Sequence, residues 1–110
     1  MPDVATTLNN LANLHQNTNK HQEAEEEYQE ALKYYRQLAE KNKEAFLPYV
    51  AMTLFNFALL HFEQNNCKQA EVEAQESLEI FMRMAEISPQ VFGKDVEKAS
   101  MLLEYIRKQS

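Results

Sequence analysis

Glycine occurs once and proline three times in 110 residues, far below the roughly 7% and 5% of average usage. Sheets joined by tight turns need residues that tolerate positive φ or fix it near −65°, and this chain has almost none. The scarcity excludes most all-β architectures and favours long helices. Cysteine is down to Cys67, which excludes an internal disulfide and favours a reducing compartment. A reactive thiol would need a positive neighbourhood or a helix terminus; only Lys68 and a predicted helix start near Cys67 offer either, and packing is the simpler reading.

Basic residues are also scarce, with 11 Lys and Arg against 17 Asp and Glu and a net charge of −6. No basic face is available to displace the counterions of a phosphate backbone, so nucleic acid is not an expected partner. The opening MPDVATTLNN lacks the basic end and apolar run of a secretory signal. No apolar run reaches the roughly 20 residues of a membrane span, so no membrane partner is expected and a cytoplasmic location is. Catalytic signatures are missing as well: there is no glycine-rich phosphate loop, no GxSxG elbow and no HExxH, and only Gly93 is available for such turns. The expectation is a chain without enzymatic activity, metal or cofactor.

What is present is 45% hydrophobic and 25% charged residues, enough apolar material for one packed domain and enough charge to keep it in solution. Ala, Leu, Glu, Gln, Lys and Met, all good helix formers, are abundant. An internal repeat organises them. The segment from Val4 to His15, VATTLNNLANLH, returns from Val50 to His61 as VAMTLFNFALLH with 8 of 12 positions identical, at an offset of 46 residues. The same offset aligns Ala24–Glu40 with Ala70–Glu86, with 8 of 17 positions identical. A partial third copy follows, in which Phe46 maps to Phe92 and Val50 to Val96.

Leu8, Leu11, Ala12 and His15 lie at helical offsets, as do Leu54, Phe57, Ala58 and His61, so each set forms one stripe. Asn17-Thr18-Asn19 and Asn65-Asn66 suit the turn into a second helix, because asparagine tolerates the left-handed geometry usually left to glycine. The patterns predict helices near residues 3–17, 21–42, 47–64, 67–87 and 93–108. Pro2 and Pro48 suit first-turn positions, and Pro89 stops the fourth helix.

The offsets resemble the tetratricopeptide repeat, in which a large residue, Leu, a small residue and an aromatic precede Ala and a further aromatic. Leu8, Leu11, Ala12, His15, Ala24 and Tyr28 fill that pattern; Leu54, Phe57, Ala58, His61 and Ala70 fill it again, with Ala74 in place of the second aromatic. The period exceeds the usual 34 residues by about twelve, and the Leu8–Ala12 run is most similar to long-period repeats of the kinesin light chain type and of bacterial proteins like them. The resemblance implies an all-α, α-α superhelix in a single domain: repeat 1 over about 3–46, repeat 2 over about 47–92 and a capping helix over about 93–108. Glu104 stands where the small residue belongs, which suits a terminal cap.

Two constellations have simple readings. His15 and His61 could suggest metal or acid-base chemistry, but both fill the aromatic slot between paired helices and are expected to pack there. Glu23, Glu25, Glu26, Glu27 and Glu30 fall at all angles of one helix and read as a solvated face rather than a cation site.

The run Leu47–Phe62 is apolar nearly all round, so something must cover its second face. By the family resemblance, first helices line a concave groove, which implies a protein- or peptide-binding set of Asn9, Asn10, Asn13, Met52, Phe55, Asn56, Leu59, Lys98, Met101, Leu102 and Tyr105. Three coverings stay open: the capping helix itself, through Phe92, Val96, Ala99, Leu103 and Ile106; a bound peptide; or a second copy forming a homodimer through the groove or an open end. Asn13, Asn56 and Lys98 match three of the five places of the family's two-carboxylate clamp. Asn9 and Leu102 replace the first Lys and the Arg, so binding of acidic chaperone tails is not expected. The expected role is a non-catalytic scaffold.

Overall fold

The structure is a computed structural model and describes Leu8, residues 10–14, Asn17, Thr18 and residues 20–109. Leu8, residues 10–14 and Asn17 are helical and are grouped as α1. Four helices follow: α2 (His21–Lys41), α3 (Lys43–Glu63), α4 (Cys67–Ile87) and α5 (Pro89–Gln109), each 21 residues long. Each packs chiefly against its neighbours in the chain, as in a solenoid. Most of the helix expected over 3–17 lies outside the described residues.

The 46-residue period is two 21-residue helices, a one-residue link and a three-residue link. Asn42 and Ser88 are the one-residue links, equivalent by the period. The Asn42 N–H still donates to Leu38 O at 3.0 Å while its side chain accepts from Ala45 N at 3.3 Å, so one extended residue both ends α2 and caps α3. Ser88 likewise donates to Met84 O at 2.9 Å and accepts from the Val91 and Phe92 amides at 3.1 Å. The longer link carries Asn65 at φ 63°, the left-handed turn expected there. Asn66 then caps α4 by accepting from Gln69 N at 3.4 Å.

Two helix starts differ from expectation. α3 begins at Lys43 and α5 at Pro89, each four residues early, because the caps at Asn42 and Ser88 carry more weight than the apolar periodicity that begins later. Pro48 is therefore not in the first turn but is the sixth residue of α3, where it forgoes one backbone bond. Pro89, expected only to stop the fourth helix, is also the first residue of the next, where its missing donor is harmless. Gly93, the first residue of the expected fifth helix, lies inside α5.

α3 also corrects the expectation about membrane-length segments. Extended to 21 residues, it is long and apolar enough to cross a membrane by length and composition alone. A core helix passes the same test. Val50, Ala51, Thr53, Leu54, Phe57, Ala58, Leu60 and His61 are buried, and α3 packs against both α2 and α4.

The core has three parts. The central one joins Ala31, Tyr35 and Ala39 of α2, Val50, Ala51 and Leu54 of α3, Ile80, Phe81 and Met84 of α4, and Ala99 of α5. The other two are copies of one junction. In the first, Phe57 and Leu60 of α3 enter slots left by Ala12, Ala24 and Tyr28; in the second, Leu103 and Ile106 of α5 enter slots left by Ala58, Ala70 and Ala74. Every member of one maps onto the other by 46 residues. Alanine at these slots lets the backbones approach; a larger residue there would overpack a close-packed site at about 1–3 kcal/mol.

Where Ala74 replaces the aromatic Tyr28, its former partner changes too. The Tyr28 hydroxyl donates to Asn13 Oδ1, and the equivalents Ala74 and Leu59 drop both ends of that bond together. Phe62, Leu78 and Leu102 pack around the smaller side chain instead.

His61 sits between repeats, 5% exposed and stacked on Phe57 at 4.4 Å. Its Nδ1 lies 2.7 Å from Oε1 of buried Glu73 on α4, and its Nε2 lies 2.9 Å from Oε1 of Glu25 on α2. Gln69 Nε2 donates to the other Glu73 oxygen at 3.1 Å. Burial of the ring works against its charged form, but hydrogen bonds and charge from Glu73 and Glu25 outweigh it and raise the pKa above the usual 6.5. Ser77 Oγ ties α4 to α3 by donating to Ala51 O at 2.8 Å.

Three outcomes are expected. A folded-state pKa above 6.5 means that the His61 contribution is fully present below that pH and is lost as pH rises through the folded value. Urea midpoints should therefore fall from pH 6 upward, and His61→Gln should flatten that slope. At pH 6, His61→Ala should cost about 3–5 kcal/mol, because it strands a buried carboxylate. Gly93→Ala should stabilise by about 0.5–1 kcal/mol, since an added Cβ meets nothing within 4 Å; thermal melting reads the sign.

Candidate functional site

Met52, Phe55 and Asn56 share one face of α3 because residues three and four apart lie side by side on a helix. Asp95 and Lys98 lie one turn apart on α5. α4 is the partner helix of α3, and its Phe81 forms the floor at 3% exposed. These six residues enclose a cleft of about 200 Å³. It is open to solvent, apolar below and charged at the α5 rim.

Of the eleven residues expected from the sequence, Met52, Phe55, Asn56 and Lys98 line this cleft. The others are placed differently. Leu59 is half-buried, and Met101 is exposed. Leu102 packs into the α3–α4–α5 cluster. Tyr105 sets its ring edge-on to Phe62 at 5.4 Å. Asn10 is exposed on α1, whereas the half-buried Asn13 turns its carboxamide oxygen to Tyr28 inside the hairpin. Asn9 lies outside the described residues.

The capping stripe expected on α5 is packed: Ala99 with Phe92 and Val96 in the central core, Leu103 and Ile106 in the junction. It covers part of the second face of α3 and stops short of Met52, which stays 47% exposed. Asp95 and Phe81 were not singled out in the sequence. A signal for Asp95 was available, since it is the period-equivalent of Tyr49 on the same face as Met52. Phe81, the equivalent of buried Tyr35, reads from sequence as core alone.

Other candidates resolve as structural. Both ring nitrogens of His61 are held by different carboxylates from different helices, an arrangement that bridges repeats. His15 lies outside the described residues. Cys67 is the first residue of α4 and packs, half-buried, into the α3–α4–α5 cluster. Among the described residues, no three His, Cys, Asp or Glu side chains are placed to hold a metal ion. Tyr28 is raised above the ordinary phenol pKa by burial, then by Glu63 and Glu27, which suits a hydroxyl that stays protonated and donates to Asn13.

A search of curated proteins found no match to the chain. The family model described as tetratricopeptide repeat matches residues 3–83. Repeats of this family generally mediate protein–protein interaction and generally serve as non-catalytic scaffolds. With that match over most of its length, with hairpins that repeat every 46 residues and with two alanine-lined junctions equivalent by that period, the chain belongs to the tetratricopeptide repeat family.

Proposed function

We propose that the chain is a non-catalytic scaffold that holds a segment of a protein partner in the cleft between α3 and α5. The cleft itself carries the reading: solvent-open apolar side chains, Met52 and Phe55 over Phe81, sit beside a carboxamide and two opposite charges. At about 200 Å³ it is smaller than the 300–1,000 Å³ of small-molecule pockets. That size suits one side chain of a longer segment. Asn56 offers both a donor and an acceptor to a peptide backbone. Lys98 and Asp95 favour a segment with charge on either side of its apolar anchor. Leu59, Met101 and Tyr105 extend the same face along α3 and α5, and Asn10 carries it onto α1.

Selection of displayed peptides on the purified chain supplies a ligand for the test. Bound sequences are expected to share an apolar anchor flanked by charge. Phe55→Ser and Lys98→Glu should each weaken the selected peptide about tenfold or more, corresponding to about 1.4 kcal/mol, with helicity by circular dichroism unchanged. Undiminished binding to both variants would place recognition elsewhere.

A further inference from the structure

Three aromatic rings meet between α2 and α3. Tyr49 of α3 stacks on Tyr35 of α2, with centroids 5.2 Å apart and planes 14° from parallel, and Phe46 stands tilted against Tyr49 at 6.3 Å. Shifted by the 46-residue period, Tyr35, Phe46 and Tyr49 become Phe81, Phe92 and Asp95. Phe81 and Phe92 keep their rings, tilted at 6.5 Å. Asp95 has no ring to lay on Phe81, and the cleft of about 200 Å³ lies there, with both residues in its lining. The opening thus follows from one exchange of side chain among three consecutive helices. Tyr49 fills over Tyr35 the place that Asp95 leaves free over Phe81.

The walls of that place suit a ring. Phe55 is aromatic and half-buried. Met52 is 47% exposed, and an unbranched thioether turns aside readily and packs well against aromatic edges. Charge narrows the choice further. Arg36, His61 and Arg107 all face carboxylates, whereas among the described residues neither Asp95 nor Lys98 has an ion-pair partner. An unpaired carboxylate at the mouth, on a chain of net charge −6, favours a cation beside the ring. Lys98, one turn further along α5, favours an acid on its other side.

We propose that the cleft is an aromatic-anchor site: it takes a Tyr, Phe or Trp side chain of a partner segment, stacked on Phe81 as Tyr49 is stacked on Tyr35, with a basic residue of that segment at Asp95. The inference rests on the cleft reading above and deepens it, turning an apolar anchor into an aromatic one and stating which charge stands where. An aliphatic anchor fills the same space but forgoes the offset stacking that aromatic pairs prefer. Asp95 is the residue that sets this specificity, because a ring in its place would occupy the site from within.

Para-cresol, the tyrosine side chain without its backbone, is the first probe, titrated into the full chain isotope-labelled at its methionine methyls. Its ring current is expected to shift the Met52 methyl signal saturably, and isoamyl alcohol should displace it only at about tenfold higher concentration. Asp95→Tyr should abolish the response and raise the urea midpoint, since the new ring stacks on Phe81. Peptides selected on the chain should weaken about tenfold or more when their aromatic residue becomes Leu. Asp95→Asn should weaken those whose ring has a basic neighbour and reduce their salt dependence. A Met52 methyl unmoved by para-cresol up to its solubility limit, equal displacement by isoamyl alcohol, or an undiminished response in Asp95→Tyr would overturn the proposal. So would selected peptides with aliphatic anchors that still lose binding on Phe55→Ser; the cleft would then hold its segment by shape alone, and only this inference would fall. Peptides indifferent to Phe55→Ser, Lys98→Glu and Asp95→Tyr alike would overturn both readings.

Discussion

The structure rests on the fit of two large apolar side chains from one helix into alanine slots on the hairpin before it. Phe57 and Leu60 against Ala12, Ala24 and Tyr28 make this contact once; Leu103 and Ile106 against Ala58, Ala70 and Ala74 make it again. Neither hairpin could bury its stripe alone, since an isolated pair of helices leaves one face of each in water. The contact also fixes register. A one-turn slip would drive Phe57 into a filled position and pull His61 from between Glu25 and Glu73. The ion pair at the edge, Arg107 with Glu71, therefore specifies alignment more than it adds stability, as exposed pairs contribute little. Glu73 differs, because it is buried and depends on His61 for its partner.

α3 is apolar all round as a consequence of this plan. The first helix of an internal repeat meets its own partner helix, the preceding hairpin and the following one, and so has almost no side left for solvent. Its one remaining strip is the face that carries Met52, Phe55 and Asn56. The cleft arises there because α5 spends its apolar stripe on α4 and on the far half of α3. A side chain that is both apolar and solvent-accessible on such a helix is thus a product of the packing arithmetic, and it is available to a partner without any rearrangement of the core.

Much of this was legible before any coordinates. The 46-residue offset contains the fold, because identical stripes at identical spacing must pack in the same way, and the junction residues were readable as the repeated Leu/Phe, Ala and His positions. The left-handed Asn65 was legible because so few other residues could make that turn. Helix starts were less so. Asn42 and Ser88 act through a single backbone break that periodicity does not register, and Pro48 drew the expected boundary inward although a helix tolerates it near its beginning. Of the expected groove, Met52, Phe55, Asn56 and Lys98 converge because they share a face and a level in the stack. Asn13 does not, since its amide found Tyr28, a contact across the hairpin that no one-dimensional pattern distinguishes from a neighbouring solvent position. Phe81 was hidden for the opposite reason: it is a core residue that also floors a cleft.

Comparison of the copies with one another separates scaffold from surface. At the junction the small residues persist, Ala12 with Ala58 and Ala24 with Ala70, and the large ones change only in shape, Phe57 to Leu103 and Leu60 to Ile106. Along the inner face the equivalents diverge: Met52 answers to Lys98, Phe55 to Met101 and Leu59 to Tyr105. Packing constrains the first set, since a change there is felt by two helices at once. It constrains the second set less, and a change from aromatic to thioether or from aliphatic to aromatic there costs the fold little. Asn10 and Asn56 are the exception among inner positions, retained although neither is needed to hold the helices together. A scaffold that repeats its joints and varies its lining can change what it holds without changing how it stands.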